Sequence, residues 1–334
     1  MSESKAIGLI SGGLDSLLAC KIIQRQGIRV LAYNFISPFF GWPKMGREGE
    51  EEKYFFDLYG IETRVRSVWP EYMEIVRNPR YGYGKNINPC LDCKIFMLKK
   101  AGEAMEEERA AFVFTGEVLG QRPMSQRRDA LNLIEKQSGL KGRLVRPLSA
   151  KLLPLTIPEE EGTLDRELLY DFSGRNRKPQ MALAEEFGIT EYPSPAGGCC
   201  LTDPGYSQRL RDLLDNQETV NTGDIEILGL GRHFRLGDEV KLVVGRNQGE
   251  NQKIHSLSED SDLVLKAADI PGPTAILRGP ADHGQRVMAA RITARYASHQ
   301  DQDEITVLFS QGREESGEET VSPAAPEEIS PIRI

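Results

Sequence analysis

The sequence predicts an α/β fold, a doubly wound parallel sheet followed by a smaller C-terminal α+β domain. Three observations carry this. The apolar run Ala6-Ile7-Gly8-Leu9-Ile10 passes through Ser11-Gly12-Gly13-Leu14-Asp15-Ser16 into the helical pattern Leu17 to Ile23. Strand and helix patterns then alternate over the first two-thirds of the chain, as in parallel sheets, where a helix makes each crossover. After Asp203 the pattern becomes mixed, with short strands and fewer helices.

The first helix ends near Gln26-Gly27, and Val30 begins a second strand. Ile61 to Val68 reads as a third strand. Cys93 to Glu107 has helical spacing, carried by Ile95, Phe96, Leu98 and Met105. Ala110 to Phe114 is a compact strand ending in Thr115-Gly116-Glu117, and Leu144-Val145 leads into Arg146-Pro147-Leu148. A nucleotide in such a sheet sits at the carboxyl ends of the strands, where these polar signatures fall. The first domain is expected over residues 1–205, with a connecting helix and linker over 206–225. The second domain is expected over 226–310. Its strands centre on Phe234, Val240 to Val244, Leu263 to Leu265, Ala275 to Leu277 and Ile305 to Phe309, with a helix from Gln285 to Ala297.

A chain of 334 residues suits two domains. No apolar run approaches the roughly 20 residues of a membrane span. The first strand begins almost at once, which leaves no room for a signal peptide, so a cytoplasmic location is expected. The net charge of −8 is concentrated at one end. Nine acidic and two basic residues lie between Asp301 and Ile334. From Gln311 the composition is rich in Glu, Ser, Pro and Gly, so 311–334 is expected to be a disordered acidic tail. The opposite bias lies between Gln121 and Lys151, where eight basic residues face Asp129 and Glu135. Arg122, Arg127, Arg128, Lys141 and Arg143 are the expected phosphate-backbone contacts. Roughly half of the basic residues in this segment are expected to be a solvated helix face.

Ser11 to Ser16 has the chemistry of an anion site. Glycines let the backbone approach a phosphate, exposed N–H groups point at it, and the helix dipole favours negative charge. Ser11 and Ser16 add hydroxyls. Asp15 repels a phosphate by charge, so it is expected to act through Mg²⁺ or by fixing the loop. No Gly-Lys-Ser/Thr follows, so this is not a Walker loop. Of the five cysteines, Cys20 lies on the apolar face of the first helix and reads as core. Cys90 and Cys93 sit in a turn just before a helix, a position that favours thiolates. Cys199 and Cys200 follow the turn Ser194 to Gly198. Three spaced thiolates suit a [4Fe–4S] cluster with one iron left open. A dithiol carrying a persulfide and a zinc site are the alternatives.

These residues carry a resemblance. The loop at 11–16, Cys90 to Leu98, Thr115-Gly116-Glu117-Val118-Leu119-Gly120-Gln121, Ser125-Gln126 and Arg146-Pro147-Leu148 together resemble the catalytic domain of tRNA 4-thiouridine synthetases. These are members of the ATP-pyrophosphatase (PP-loop) superfamily. Cys90 and Cys93 with the later Cys199 are similar to the cluster-containing members and to cluster-dependent tRNA 2-thiolation enzymes. Members of the family usually carry a THUMP RNA-binding domain before the loop, which here begins at residue 11, so the resemblance implies RNA binding from elsewhere. The family's lysine after Arg-Pro-Leu falls nearest Lys151. Val244-Gly245-Arg246-Asn247, Glu250-Asn251, Asp262 to Leu265 and Asp269 to Pro273 resemble the NFACT-type RNA-binding domain, with Arg246 a candidate contact.

The resemblance implies an ATP-dependent enzyme that adenylates a uridine carbonyl in tRNA and replaces its oxygen with sulfur, most simply forming 4-thiouridine. Gly12, Gly13 and Ser16 would hold pyrophosphate with Mg²⁺. Asn34 and Phe35, just past the second strand, are candidates for adenine contacts. Gly116, Glu117 and Gln121 would lie over the nucleotide or the target base. The partners implied are tRNA and a sulfur donor, either inorganic sulfide or a cysteine desulfurase. No membrane is implied, and a homodimer is left open. The alternatives are a tRNA 2-thiouridine synthase and a non-thiolating RNA-binding protein with a nucleotide site.

Overall fold

The computed structural model describes residues 4–193, 199–298, 302–312 and 314–334. The chain divides into two compact units, Met1–Thr202 and Asp203–Ile334.

The first unit runs β1 (Lys5–Leu9), α1 (Leu14–Arg25), β2 (Arg29–Ile36), α2 (Glu48–Tyr59), β3 (Glu62–Ser67), α3 (Glu71–Arg77), α4 (Cys90–Glu107), β4 (Phe112–Thr115), α5 (Arg128–Gln137), β5 (Leu144–Val145), α6 (Ile157–Glu160) and α7 (Lys178–Glu186). Its five strands form one parallel sheet in the order β3-β2-β1-β4-β5. Alternate side chains of a strand serve opposite faces. Ala6 packs with Leu17, Leu18 and Leu183 on one face, and Ile7 packs with Ile95, Leu98 and Ile134 on the other. The strand order reverses direction between β1 and β4, the switch point where such sheets open a crevice at their carboxyl ends. The loops after β1 and β4 are therefore neighbours.

The second unit runs α8 (Pro204–Asn216), α9 (Thr222–Ile227), β6 (Arg232–Gly237), β7 (Val240–Val244), α10 (Gln248–Ser256), β8 (Leu263–Ala267), β9 (Ala275–Arg278), α11 (His283–Arg295), β10 (Ile305–Gln311), β11 (Glu314–Val321) and α12 (Pro326–Ile329). Its six strands are antiparallel, in the order β11-β10-β8-β9-β7-β6. Leu242 and Val244 pack with Ala289 and Ile292 of α11, while Val243 packs with Ile227 and Ile254 of α9 and α10. The sheet is thus covered on both faces.

The connecting helix expected within 206–225 is α8, and one expectation beyond it is corrected. Asp203 caps α8 by accepting from the Tyr206 amide at 2.7 Å, and Leu210 and Leu213 are buried. The segment 311–334 is not a disordered tail. β11 pairs with β10 over its length, Val321, Ala324 and Ile329 are buried in the second unit's core, and Arg291 holds Glu328 through two bonds of 2.8 Å. An edge strand keeps acidic side chains in water, so a few apolar anchors suffice to fix it. Average composition hides such anchors. Asp301 and Arg313 lie outside the described residues.

Candidate active site at the head of the parallel sheet

The turn after β1 is built by its own hydrogen bonds. Gly12 has φ +81°, a left-handed conformation that favours glycine. Ser16 Oγ donates to the Gly13 carbonyl at 2.7 Å and accepts from the Ser11 amide at 3.3 Å. Ser11 Oγ accepts from the Gly13 amide at 3.4 Å. No side chain caps α1, and the Ser16 amide turns back to the Gly13 carbonyl at 3.0 Å; an uncapped helix start of this kind suits an anion.

The loop after β4 comes against this turn. A Cβ on Gly116 would lie 2.4 Å from the Asp15 carbonyl and 2.6 Å from the Ser16 amide nitrogen. Gln121 Nε2 donates to Asp15 Oδ2 at 2.9 Å. Asp15 Oδ1 and Gln121 Oε1 are buried without a hydrogen-bond partner in the structure. Buried oxygens of this kind suit a cation or a donor group of a ligand. Glu117 is buried beside Arg146 Nε and Thr115 Oγ1, both at 3.2 Å, with Lys94 Nζ 3.7 Å away. Burial pushes the Glu117 carboxyl up, but Lys94 and Arg146 outweigh it and hold the group below the usual carboxylate range.

Asn34 and Phe35 lie within β2, before its exit. Asn34 is buried and its Nδ2 has no partner, while Phe35 packs near Tyr33 at 5.9 Å. Beside Ser11 and Gly12 a cleft of about 530 Å³ is lined by Tyr54, Phe55, Tyr59 and Tyr192. Sequence reasoning missed this cleft, because α2 contributes three of these aromatics and carries no motif.

Two of the cysteines open α4, which begins a turn earlier than expected and so includes both Cys90 and Cys93. Asp92 fixes the preceding loop by accepting from the Arg80 and Tyr81 amides, both at 3.0 Å. The turn carrying Cys199 is tied to the same loop, since Asn86 Nδ2 donates to the Thr202 carbonyl at 2.8 Å. Thr202 Oγ1 in turn donates to the Cys199 carbonyl at 2.7 Å. Ser194 to Gly198, read as the turn before these cysteines, lie outside the described residues. Burial pushes the Cys93 thiol up to about 11, against a hydrogen bond with Tyr72. The charges of Cys199 and Cys90 both act on Cys93. A hydrogen bond with Cys200 pulls Cys199 down to about 7 against burial, helped by the Leu201 amide and the charge of Arg122. Cys200 donates to the Phe39 carbonyl at 3.2 Å. Cys20 is core, its thiol pushed up to about 12 by burial.

Among the described residues no three His, Cys, Asp or Glu side chains stand ready to hold a metal ion. The donor set still fits a thiolate-ligated group in kind, because the charges of Cys90 and Cys199 both reach Cys93 and Cys199 is pulled down to about 7.

The remaining candidates divide. Lys151 Nζ donates to the Glu167 carbonyl at 2.9 Å and pairs with its carboxylate at 3.1 Å, so it is engaged away from the loop. Arg146, counted in the basic segment, is buried and binds Glu117, Glu135 and the Leu131 carbonyl. Arg122 and Lys141 are exposed. Arg127 is exposed and paired with Asp129, Arg128 donates to the Leu152 carbonyl, and Arg143 lies 3.8 Å from Glu106. In the second unit Arg246 pairs with Glu250.

Residues 1–151 match the family described as thiamine biosynthesis protein (ThiI), and residues 231–332 match the NFACT protein RNA-binding domain. The first unit is ThiI-like and the second is NFACT-like. A probable tRNA sulfurtransferase of Finegoldia magna is 28% identical over 177 residues, covering 50% of this chain and 42% of that protein. One of Thermococcus kodakarensis is 26% identical over 147 residues, covering 44% of this chain and 37% of that protein. These matches therefore span about two-fifths of each relative's length. A solved 4-thiouridine synthetase–RNA complex with bound ATP has a TM-score of 0.36 and 20% identity, covering 56% of this chain and 52% of that one. No described helix is long and apolar enough to cross a membrane.

Proposed function

We propose that this chain is an ATP-dependent tRNA sulfurtransferase that converts a uridine carbonyl to a thiocarbonyl, most simply at the 4-position. The observation that carries the reading is the backbone contact of Gly116 with Asp15 and Ser16. It brings the ThiI-like Thr-Gly-Glu loop onto the anion-binding turn at the switch point of the sheet.

In this reading the uridine oxygen attacks the α-phosphorus of ATP and pyrophosphate leaves. Hydrosulfide then adds to the activated ring carbon, and AMP departs with the original oxygen. Gly12, Gly13 and Ser16 receive the pyrophosphate through backbone and hydroxyl donors. Asp15, held by Gln121, offers its second oxygen to Mg²⁺. Asn34 presents a buried amide toward the adenine. Cys90, Cys93 and Cys199 would hold a [4Fe–4S] cluster, which when bound supplies an open iron for sulfur. The target base must leave its stack to reach this crevice. The basic segment around Arg122, Arg127, Arg128, Lys141 and Arg143, with Arg246 in the NFACT-like unit, contacts the tRNA.

The test is anaerobic incubation of the protein with tRNA, ATP and sulfide, followed by nucleoside mass spectrometry. Thiouridine and AMP should form in equal amounts. A 4-thio product supports the main reading, a 2-thio product transfers it to the related reaction, and no thionucleoside rejects thiolation. Asp15→Ala and Ser16→Ala should each lower the rate by about 10²-fold or more with unchanged circular dichroism. Anaerobically purified protein should hold about four irons per chain. Stoichiometric zinc without sulfide would sink the cluster assignment.

A further inference from the structure

We propose that Lys94 is the substrate-contacting cation of the adenylation site, a role that rests on the thiolation reading above. Lys94 is the fifth residue of α4, directly after Cys93. Its ammonium stands 3.7 Å from Glu117 Oε1, and its side chain remains 35% exposed. Among the described residues that oxygen has no hydrogen-bond partner, and at 3.7 Å the ammonium stands beyond hydrogen-bond distance of it. Glu117 therefore holds Lys94 by charge while leaving its three N–H donors for another acceptor.

The position is decided by a short chain of contacts. Gly116 abuts the backbone of Asp15 and Ser16. Glu117 is the next residue, clamped from behind by Arg146 and Thr115. Lys94 meets the remaining oxygen of Glu117 from α4. The chain of contacts thus runs from the turn at 11–16 through Gly116 and Glu117 to a half-open ammonium one residue after Cys93. Negative charge builds there on the phosphoryl oxygens as AMP is transferred. A cation fixed in advance lowers that barrier without reorganising during the step. Lys151, the lysine suggested by motif order, is bonded instead to Glu167.

The competing explanation is that Lys94 only neutralises Glu117. Two experiments on the full chain separate these. In the first, surface lysines are acetylated with and without ATP and Mg²⁺, with no tRNA present, and the sites are quantified by mass spectrometry. Nucleotide should slow acetylation of Lys94 by about fivefold or more and leave exposed Lys99 unchanged. Equal labelling of Lys94 with and without nucleotide overturns the proposal. In the second, single-turnover AMP formation on tRNA is measured for Lys94→Met, Lys94→Arg and the Lys94→Met/Glu117→Gln double variant. Lys94→Met should fall about 10²- to 10³-fold with unchanged circular dichroism, Lys94→Arg should recover part of the loss, and the double variant should stay slow. A Lys94→Met rate within about threefold of the parent, or rescue by Glu117→Gln, overturns the proposal. Protection of Lys94 by nucleotide in a protein that makes no thiouridine would reject the thiolation reading and keep Lys94 at the nucleotide.

Discussion

Gly116 and Asp15 touch backbone to backbone, so closely that a single methyl on Gly116 would lie 2.4 Å from the Asp15 carbonyl. The two residues are 101 positions apart in sequence; Asp15 lies in the first turn of the helix after β1 and Gly116 opens the loop after the adjacent parallel strand β4. No side chain separates the turn that would receive a phosphate from the loop that carries Glu117. The contact sets the depth of the crevice.

Gly116→Ala follows directly. The methyl has no room against backbone atoms, so the loops must part. Stability should fall by about 1–3 kcal/mol and nucleotide binding should weaken in parallel. Denaturant unfolding and equilibrium dialysis with ATP measure the two effects. An unchanged midpoint and affinity would refute the contact.

Thiol reactivity should separate two cysteines that motif reading treats alike. The thiolate is the reactive form. Cys199 ionises at about 7, so its alkylation in metal-free, reduced protein should rise through neutral pH and level off above it. Cys93 is pushed up to about 11 and should stay slow until strongly alkaline pH. Site-resolved mass spectrometry after brief iodoacetamide treatment reads both profiles. Similar profiles for the two thiols would contradict the geometry.

In the NFACT-like unit, burial pushes the Lys241 ammonium down to about 8, against the attraction of Asp212 at 3.1 Å. Its unfolded value is near 10.5, so between these limits the unfolded chain binds more protons than the folded one. Stability from this group therefore rises with pH across that window. Lys241→Met lacks the rise, while Asp212 keeps its pair with Arg235 at 2.6 Å. The variant should be at least as stable as the parent near neutrality and lose ground from pH 8 upward. Melting curves of both proteins across that range check the sign.

For RNA, the exposed Arg127 and Arg128 are the informative pair. The Arg127–Asp129 ion pair is on the surface, 65% and 67% exposed, and gives way readily to a phosphate. Replacing both arginines by alanine should weaken tRNA binding and reduce the slope of log affinity against log salt by about 1–2. An unchanged slope would remove this segment from the RNA interface.

The sequence by itself determined what is local. A strand, a glycine turn and a helix start are contiguous, so the turn at 11–16 was legible, as were the alternation behind the parallel sheet and the placing of Cys90 and Cys93 at a helix start. Tertiary structure decided what depends on distant partners. It bonded Lys151 to Glu167, buried Arg146 between Glu117 and Glu135, and set Lys94 beside Glu117. It tied the Cys199 turn to the loop before α4 through Asn86 and Thr202. It also folded the acidic end onto the second sheet, where Val321, Ala324 and Ile329 are buried. The physical reason is the same in each case. A charged side chain takes its role from its nearest opposite charge, and a sparse apolar anchor takes its value from the surface it covers. Chain order specifies neither until the sheets bring remote segments together.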